Sequence, residues 1–186
     1  ADQLYVMRGN RLSRPIAAIG RVAASTPKEA LDYLDKVKSH EQALDLAPQT
    51  FAGRAWSKRV IHNSGGLNTE TAVIRNYANS MKAVLENNRF GADVHTFFKT
   101  SNDPIQLSAF TQVLDLINDG VALWMIYGHS SAFAVDFDIG TPNDYDNRDR
   151  YPFMLILGCF SGQCAAPQQS IGEQFILAPR RGAVAY

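Results

Sequence analysis

A histidine and a cysteine, each next to glycine, follow two successive apolar runs of the chain. His129 comes after residues 121–126, and Cys159 comes after residues 153–157. An imidazole can take the proton of a thiol, and the resulting thiolate is a strong nucleophile. Either residue alone is more often structural, but the pair at the ends of two apolar runs predicts nucleophilic attack on a carbonyl, the chemistry of a cysteine peptidase.

Small residues surround both reactive side chains. Gly128 and Ser130 flank the histidine, and Gly158 precedes the cysteine. Residues without bulk let a substrate come close to the backbone, and free amides there can stabilise an oxyanion. The two loops therefore predict a nucleophile, a base and an oxyanion site at one place.

Strand and helix patterns alternate along the chain. Thr26 to Glu29 form a capping box that predicts a helix to about His40, followed by a connector at 42–51. Apolar runs predict strands, and positions spaced three and four apart predict helices; the strands are 59–62, 94–98, 121–126, 153–157 and the start of 182–186, and the helices are 73–85, 107–117 and 171–177. This order predicts an α/β fold, a mostly parallel sheet with helices on both faces. Its site would lie at the carboxyl ends of the strands.

The composition excludes several classes of function. The chain has 18 basic and 18 acidic residues and no basic stripe, which argues against nucleic acid as a partner. No apolar stretch has the length of a membrane span, and no signal-peptide pattern is visible. The chain opens without Met and stops inside an apparent strand, so we expect residues 1–186 to be a single catalytic (sub)domain truncated at both ends.

Other candidate ligands and nucleophiles carry weaker signals. Cys164 is most simply an incidental thiol, although a disulfide with Cys159 is an alternative. A zinc site is disfavoured because no second Cys or His pair has suitable spacing. The polar connection 130–150 is acidic; Asp136 and Asp138 could bind calcium, line a wall for basic substrates, or only be solvated. No cofactor is required by the chemistry.

Several motifs, in the same order, resemble the gingipain-type cysteine peptidases, whose fold is caspase-like. The histidine motif is Gly-His-Ser at 128–130 and the nucleophile motif is Gly-Cys-Phe-Ser-Gly at 158–162. Flanking segments also match; they are 19–22, 56–60, 172–175 and 181–185. The segments 62–66 and 136–140 are most similar to the type IX secretion sortases of Bacteroidetes.

The resemblance implies roles for particular residues. His129 would be the general base and Cys159 the nucleophile, with the oxyanion held by the amides of Cys159 and Ser130. Gingipains have glycine where this chain has Ser130. They also carry an acid in the loop after the first strand, and 63–66 hold none. A third catalytic residue is thus missing or comes from elsewhere; His62 and Ser64 are candidate accessory residues.

The resemblance also implies a substrate and a location. The expected substrate is a polypeptide, in the sortase branch the C-terminal sorting signal of a secreted protein, cleaved by hydrolysis or transpeptidation. Type IX secretion components would be partners, at the bacterial cell surface, the outer membrane or outside the cell. An alternative is a catalytically degenerate domain that serves the secretion machinery as a scaffold. A small-molecule enzyme is a weaker alternative, because no dinucleotide or phosphate motif follows a strand.

Overall fold

Strands and helices alternate in the computed structural model, which describes residues 16–164 and 167–186. Within these residues, the strands are β1 (Arg59–Ser64), β2 (Asp93–Phe98), β3 (Leu123–Tyr127) and β4 (Phe153–Leu157). The helices are α1 (Pro27–Leu46), α2 (Phe51–Arg54), α3 (Glu70–Leu85), α4 (Phe110–Asp119) and α5 (Ile171–Leu177). The described part of the chain also contains two short 3-10 segments, Ala55–Lys58 and Pro142–Asp144.

The four strands form one parallel sheet in the order β2-β1-β3-β4. Ile61 in β1 lies opposite His95 in β2 and Trp124 in β3, and Trp124 lies opposite Met154 in β4. Parallel neighbours need crossover connections. Helix α3 lies between β1 and β2 in the chain and α4 between β2 and β3, whereas the connection from β3 to β4 contains only the 3-10 segment Pro142–Asp144. The predicted α/β fold with a mostly parallel sheet is therefore confirmed.

The core lies on one face of this sheet. Trp124 is fully buried, and its ring meets that of Phe175 in α5 edge to face, with 5.6 Å between the ring centroids. Val113 and Ile117 bring the apolar side of α4 to the same core. Helix α3 contacts β1 and β2. These contacts fix the strands, and so fix where the loops at their carboxyl ends begin.

Helix α1 is longer than predicted. Its N-terminus has the expected capping box, in which Thr26 and Glu29 satisfy each other's backbone amides. The predicted end at His40 and the connector after it are wrong, because the helix continues to Leu46. Residues 41–46 are mostly good helix formers, and the chain leaves the helix just before Pro48, where a helical conformation becomes unfavourable.

The segment after α5 approaches the free edge of the sheet. Met154 donates its backbone N–H to the carbonyl of Ala185 at 2.9 Å, and Phe153 and Ala185 form a parallel bridge. The strand predicted at 182–186 is thus present as a single bridge. Across the described residues, no helix is both long and apolar enough to cross a membrane.

A buried lysine joins α1 to the end of α5. Lys36 is only 2% exposed, and its Nζ donates to the carbonyls of Phe175 at 3.2 Å, Ile176 at 2.7 Å and Ala183 at 3.2 Å. Helix C-termini carry carbonyls without partners inside the helix. Lys36 satisfies those of α5 and the turn beyond it, but its burial lowers the pKa of the amine from 10.5 to about 7.

We expect this lysine to make the stability of the domain increase with pH. The folded-state pKa lies below the unfolded one, so between these values the unfolded chain binds more protons. Raising the pH from about 7 to about 9 should therefore add about 2 kcal/mol to the free energy of unfolding of wild type relative to Lys36→Met. Urea denaturation at several pH values measures this difference. The exposed Lys38→Met serves as control, and equal pH slopes in wild type and Lys36→Met would contradict the expectation.

Candidate active site

The loops that carry the histidine and the cysteine leave neighbouring strands at the same level of the sheet. Tyr127 at the end of β3 is paired with Leu157 at the end of β4. His129 and Cys159 each follow two residues later. The amide of Gly128 still donates to the carbonyl of Leu157 at 3.3 Å, so the two chains remain adjacent as they leave the sheet. The structure thus brings the two loops together, as expected from the strand order.

The thiol of Cys159 is accessible. Cys159 and Cys164 are both free and exposed, so no disulfide joins them. Phe160, the next residue, has φ of 58°, a conformation that is uncommon for residues other than glycine. Ser161 is buried, and its Oγ accepts a hydrogen bond from the hydroxyl of Tyr186 at 2.5 Å. The loop therefore turns sharply around an exposed sulfur and is anchored just behind it.

Ser130 links the histidine loop to the cysteine loop through its side chain. Its hydroxyl donates to the carbonyl of Cys159 at 2.7 Å. If the parallel ladder simply continued, the Ser130 amide would be the next donor toward that carbonyl. In this structure the Ser130 hydroxyl, and not the Ser130 amide, donates to the Cys159 carbonyl.

The Ser130 amide also makes no hydrogen bond to the segment around Val135, which lies on the other side of the histidine loop. Ser130 forms an antiparallel bridge with Val135, but the hydrogen bonds of that bridge run from Ser131 to Ala134 and from Asp136 to His129. In residues 16–164 and 167–186, no carbonyl or side chain accepts a hydrogen bond from the amides of Ser130 or Cys159. These are the two amides expected to hold an oxyanion, and both are available.

A carboxylate that the sequence analysis did not identify holds the imidazole. His129 Nε2 and Glu70 Oε2 lie 2.7 Å apart, and both side chains are about half exposed. The hydrogen bond from His129 lowers the pKa of Glu70. Glu70 is the first residue of α3, so the acid comes from the helix after β1 and not from the loop 63–66 where the family pattern placed it. A carboxylate from outside the loop 63–66 therefore contacts His129.

The contact with Glu70 determines which ring nitrogen can act as a base. A carboxylate accepts the Nε2–H, so the neutral ring keeps its lone pair on Nδ1. No hydrogen bond joins His129 Nδ1 to another of the described residues. The free nitrogen can therefore accept a proton from a thiol or a water molecule.

Asp136 contacts the backbone of His129. Its Oδ2 accepts the backbone N–H groups of His129 and Gly66, each at 2.8 Å. Its Oδ1 lies 3.2 Å from Nζ of Lys99, and the two side chains are 3% and 0% exposed. Asp136 is thus a buried, fully paired carboxylate that contacts the loop of His129.

The acidic connection shows no assembled metal centre in the described part of the chain. Asp138 Oδ1 accepts the amide of Gly140 at 2.9 Å, a local turn contact. No group of three or more His, Cys, Asp or Glu side chains among the described residues could hold a metal ion. Calcium binding by Asp136 and Asp138 stays a prediction, one that would have to compete with the hydrogen bonds these carboxylates already make.

The two candidate accessory residues of β1 lie inside the sheet. His62 is 2% and Ser64 is 1% exposed. Burial, with a contribution from the charge of Lys82, lowers the pKa of His62, and both ring nitrogens lack a partner among the described residues. The structure therefore does not bring His62 or Ser64 to the surface that carries Cys159.

Comparison with protein families identifies the group to which this arrangement belongs. A family model described as Peptidase family C25 matches residues 1–186. The chain is a member of that family. A search of the curated proteins found no match.

Solved structures agree at the level of the fold. A structure titled "Structure of Protease" has a TM-score of 0.69 and 21% identity, and the match covers 87% of this chain and 34% of that one. The Arg specific cysteine proteinase gingipain R (RgpB) has a TM-score of 0.65 and 17% identity, covering 98% and 42%. A complex of Porphyromonas gingivalis RgpB pro- and mature domains gives 0.66 and 18%, covering 98% and 43%. The chain thus spans less than half of the length of these proteins and shares their gingipain-like fold.

Proposed function

We propose that this domain carries out cysteine-peptidase chemistry on polypeptides, with Cys159 as nucleophile and His129 as base. One observation carries the proposal. His129 is hydrogen-bonded to Glu70, and the loop of His129 leaves the strand next to the one that is followed by the exposed, free Cys159. Membership of Peptidase family C25 supports it. Catalysis by such a pair needs an oriented imidazole and an ionisable thiol within one loop cluster.

The proposed reaction has two steps. His129 Nδ1 takes the proton of the thiol, and Sγ of Cys159 attacks the peptide carbonyl carbon. The amides of Cys159 and Ser130 stabilise the oxyanion of the tetrahedral intermediate. The imidazolium then gives its proton to the leaving amine as the C–N bond breaks, which leaves a thioester. Water or an acceptor amine gives a proton to His129 and attacks that thioester; the C–S bond breaks, and the imidazolium returns the proton to the Cys159 thiolate.

For the substrate we propose a C-terminal sorting signal of a secreted protein, with type IX secretion components as partners and a bacterial cell-surface, outer-membrane or secreted location. The support is the similarity of segments 62–66 and 136–140 to the sortase branch of the family. Both hydrolysis and transfer to a surface-lipid amine use the residues named above. Mass spectrometry of products formed from a C-terminal signal peptide, with and without an added amine, separates the two outcomes.

The scaffold alternative loses its main argument. A missing carboxylate favoured a degenerate site, and Glu70 provides a carboxylate in contact with His129. Ser130 in place of glycine was the second departure, and its side chain bonds the Cys159 carbonyl while its amide remains unused. Both departures are therefore compatible with an active enzyme.

The rate of alkylation by iodoacetamide tests the proposed pair. At about pH 6.5 an ordinary thiol is protonated and reacts slowly. We expect wild type to react rapidly at Cys159 at that pH, His129→Ala to react about tenfold or more slowly, and Cys164→Ser to match wild type. Peptide mapping assigns the modified residue, since both thiols are exposed.

The opposite outcome is equally clear. If Cys159 and Cys164 react at the same slow rate at that pH, and His129→Ala changes neither rate, then no activated thiol is assembled in this chain. The scaffold alternative would then replace the peptidase proposal.

A further inference from the structure

We propose that Asp136 and Lys99 form a clamp that positions His129, an inference that rests on the function proposed above. Among the described residues, no hydrogen bond joins either side chain to Cys159 or to the imidazole. They act on the backbone from which the imidazole projects, so they are positioning residues and not catalytic ones.

The clamp ties together loops that leave three different strands. The Asp136 carboxylate accepts the amide of Gly66 after β1 and the amide of His129 after β3, each at 2.8 Å. It also pairs at 3.2 Å with Lys99, the first residue after β2. One side chain therefore fixes the relative positions of the loops that follow β1, β2 and β3.

The glycines around the clamp show that the carboxylate has a fixed place. A Cβ on Gly65 would collide with Asp136 Oδ2, and so would a Cβ on Gly128. Both residues are therefore glycine at the point where the carboxylate enters between the loops after β1 and β3. Such a close approach from two sides leaves the carboxylate little freedom to move.

Lys99 determines which way the carboxylate faces. Its Nζ is fully buried, lies 3.2 Å from Asp136 Oδ1 and donates to the carbonyl of Pro104 at 3.3 Å. Its amide is held by the carbonyl of Ser64 at 2.9 Å. A buried charge needs a partner of opposite charge, so Oδ1 is held toward Lys99 and Oδ2 remains for the two amides.

The position of His129 depends on this arrangement. Its amide is held by Asp136, its carbonyl accepts the amide of Asp136 at 3.1 Å, and its ring is held by Glu70. The ring alone is half exposed, so the contact with Glu70 cannot fix the backbone. A displacement of about 1 Å in a catalytic group can cost a factor of about 100 in rate. The clamp supplies the precision that the exposed ring lacks.

Four variants test the clamp. Asp136→Ala removes the acceptor of both amides. The double variant Asp136→Asn/Lys99→Met keeps a side-chain oxygen that can accept the two backbone N–H groups. It also removes the lysine charge, which an asparagine side chain could not neutralise. Lys99→Met alone leaves a buried carboxylate without its cation. Ile117→Ala, in the buried face of α4, is a control for general loss of stability.

Two measurements are made well below each variant's midpoint of thermal unfolding. One is the chemical shift of the His129 and Gly66 amide protons, which report the hydrogen bonds to the carboxylate directly. The other is the rate of Cys159 alkylation at about pH 6.5, for which we expect a loss of about tenfold or more in Asp136→Ala. The double variant should recover to within about threefold of wild type, and Ile117→Ala should match wild type.

The outcomes separate this inference from the proposed function. An upfield shift of both amides in Asp136→Ala, with recovery of rate in the double variant, supports the clamp. Unchanged amide shifts, or an equal loss of rate in Ile117→Ala, overturn it. If alkylation in wild type does not depend on His129, the proposed function fails, and the amide shifts alone then decide whether the clamp holds the loop.

Discussion

Replacing Glu70 by glutamine should slow alkylation of Cys159 about tenfold at about pH 6 and leave the rate at about pH 9.5 nearly unchanged. Glu70 accepts the Nε2–H of His129 at 2.7 Å and so keeps Nδ1 as the basic nitrogen. Its negative charge also stabilises the imidazolium that forms when the thiol gives up its proton. Glutamine can still accept the hydrogen bond but lacks the charge, so the thiolate is less favoured when the thiol would otherwise be protonated.

The direction of the pH dependence follows from the pKa of Glu70. The hydrogen bond from His129 lowers this pKa, so the carboxylate remains charged below the range of an ordinary glutamate. The advantage of wild type over Glu70→Gln should therefore persist as the pH falls and disappear only at a pH below the range in which an ordinary glutamate becomes protonated. The rates are measured with iodoacetamide, and Glu86→Gln, the residue just after the same helix, is the matched control. A rate in Glu70→Gln equal to that of Glu86→Gln would refute the role of this carboxylate.

The second large effect is expected from adding a methyl group at Gly158, where the cysteine loop meets the side chain of Ser130 in the histidine loop. A Cβ on Gly158 would collide with the Oγ of Ser130 and would lie 3.1 Å from the carbonyl of Gly128. Gly158→Ala must therefore displace the hydroxyl that holds the Cys159 carbonyl. We expect a loss of about 1–3 kcal/mol in the free energy of unfolding, together with a slower reaction of Cys159.

Removing the hydroxymethyl group relieves that collision. In Gly158→Ala/Ser130→Gly the new methyl group occupies space that the serine side chain has vacated. The free-energy losses of the two single variants should then not add, with a coupling of about 1 kcal/mol or more. Chemical denaturation of all four proteins gives this coupling, and Gly20→Ala, which would meet nothing within 4 Å, is the neutral control. Strictly additive losses would show that Ser130 and Gly158 do not share this space in solution.

The strands and the meeting of the two loops could be predicted because both depend on local patterns. Apolar runs that end in glycine mark β3 and β4, and parallel neighbours must present their carboxyl ends at one edge. His129 and Cys159 therefore emerge on adjacent loops whatever the details of packing. The helix predicted at 171–177 has the bounds observed for α5, and the structure adds a cap at Ser170 that agrees with its start.

The residues that support the site could not be assigned from local pattern. Glu70 lies 59 residues from His129 in the chain, and as a residue in the first turn of a helix it has a sufficient local explanation. Asp136 belongs to a polar, acidic connection in which a solvated or metal-bound carboxylate is the ordinary expectation. Its burial depends on Lys99, which lies 37 residues away in the loop after β2. Only the three-dimensional structure shows these two charges to be partners.

The separation of these partners along the chain has a consequence for the order of folding. Asp136 bonds to Gly66 across 70 residues, and β1 pairs with β3 although α3, β2 and α4 lie between them in the chain. Contacts between such distant segments form slowly, because long loops must close before any stabilisation is gained. Helices and single crossovers can form early, while the imidazole and the thiol are still apart. We therefore expect the thiol of Cys159 to become reactive only in the last step of folding. Before that step, the newly made chain would have no peptidase activity. Pulses of iodoacetamide during refolding, compared with the recovery of tryptophan fluorescence from the buried Trp56 and Trp124, would show whether reactivity appears later than the core.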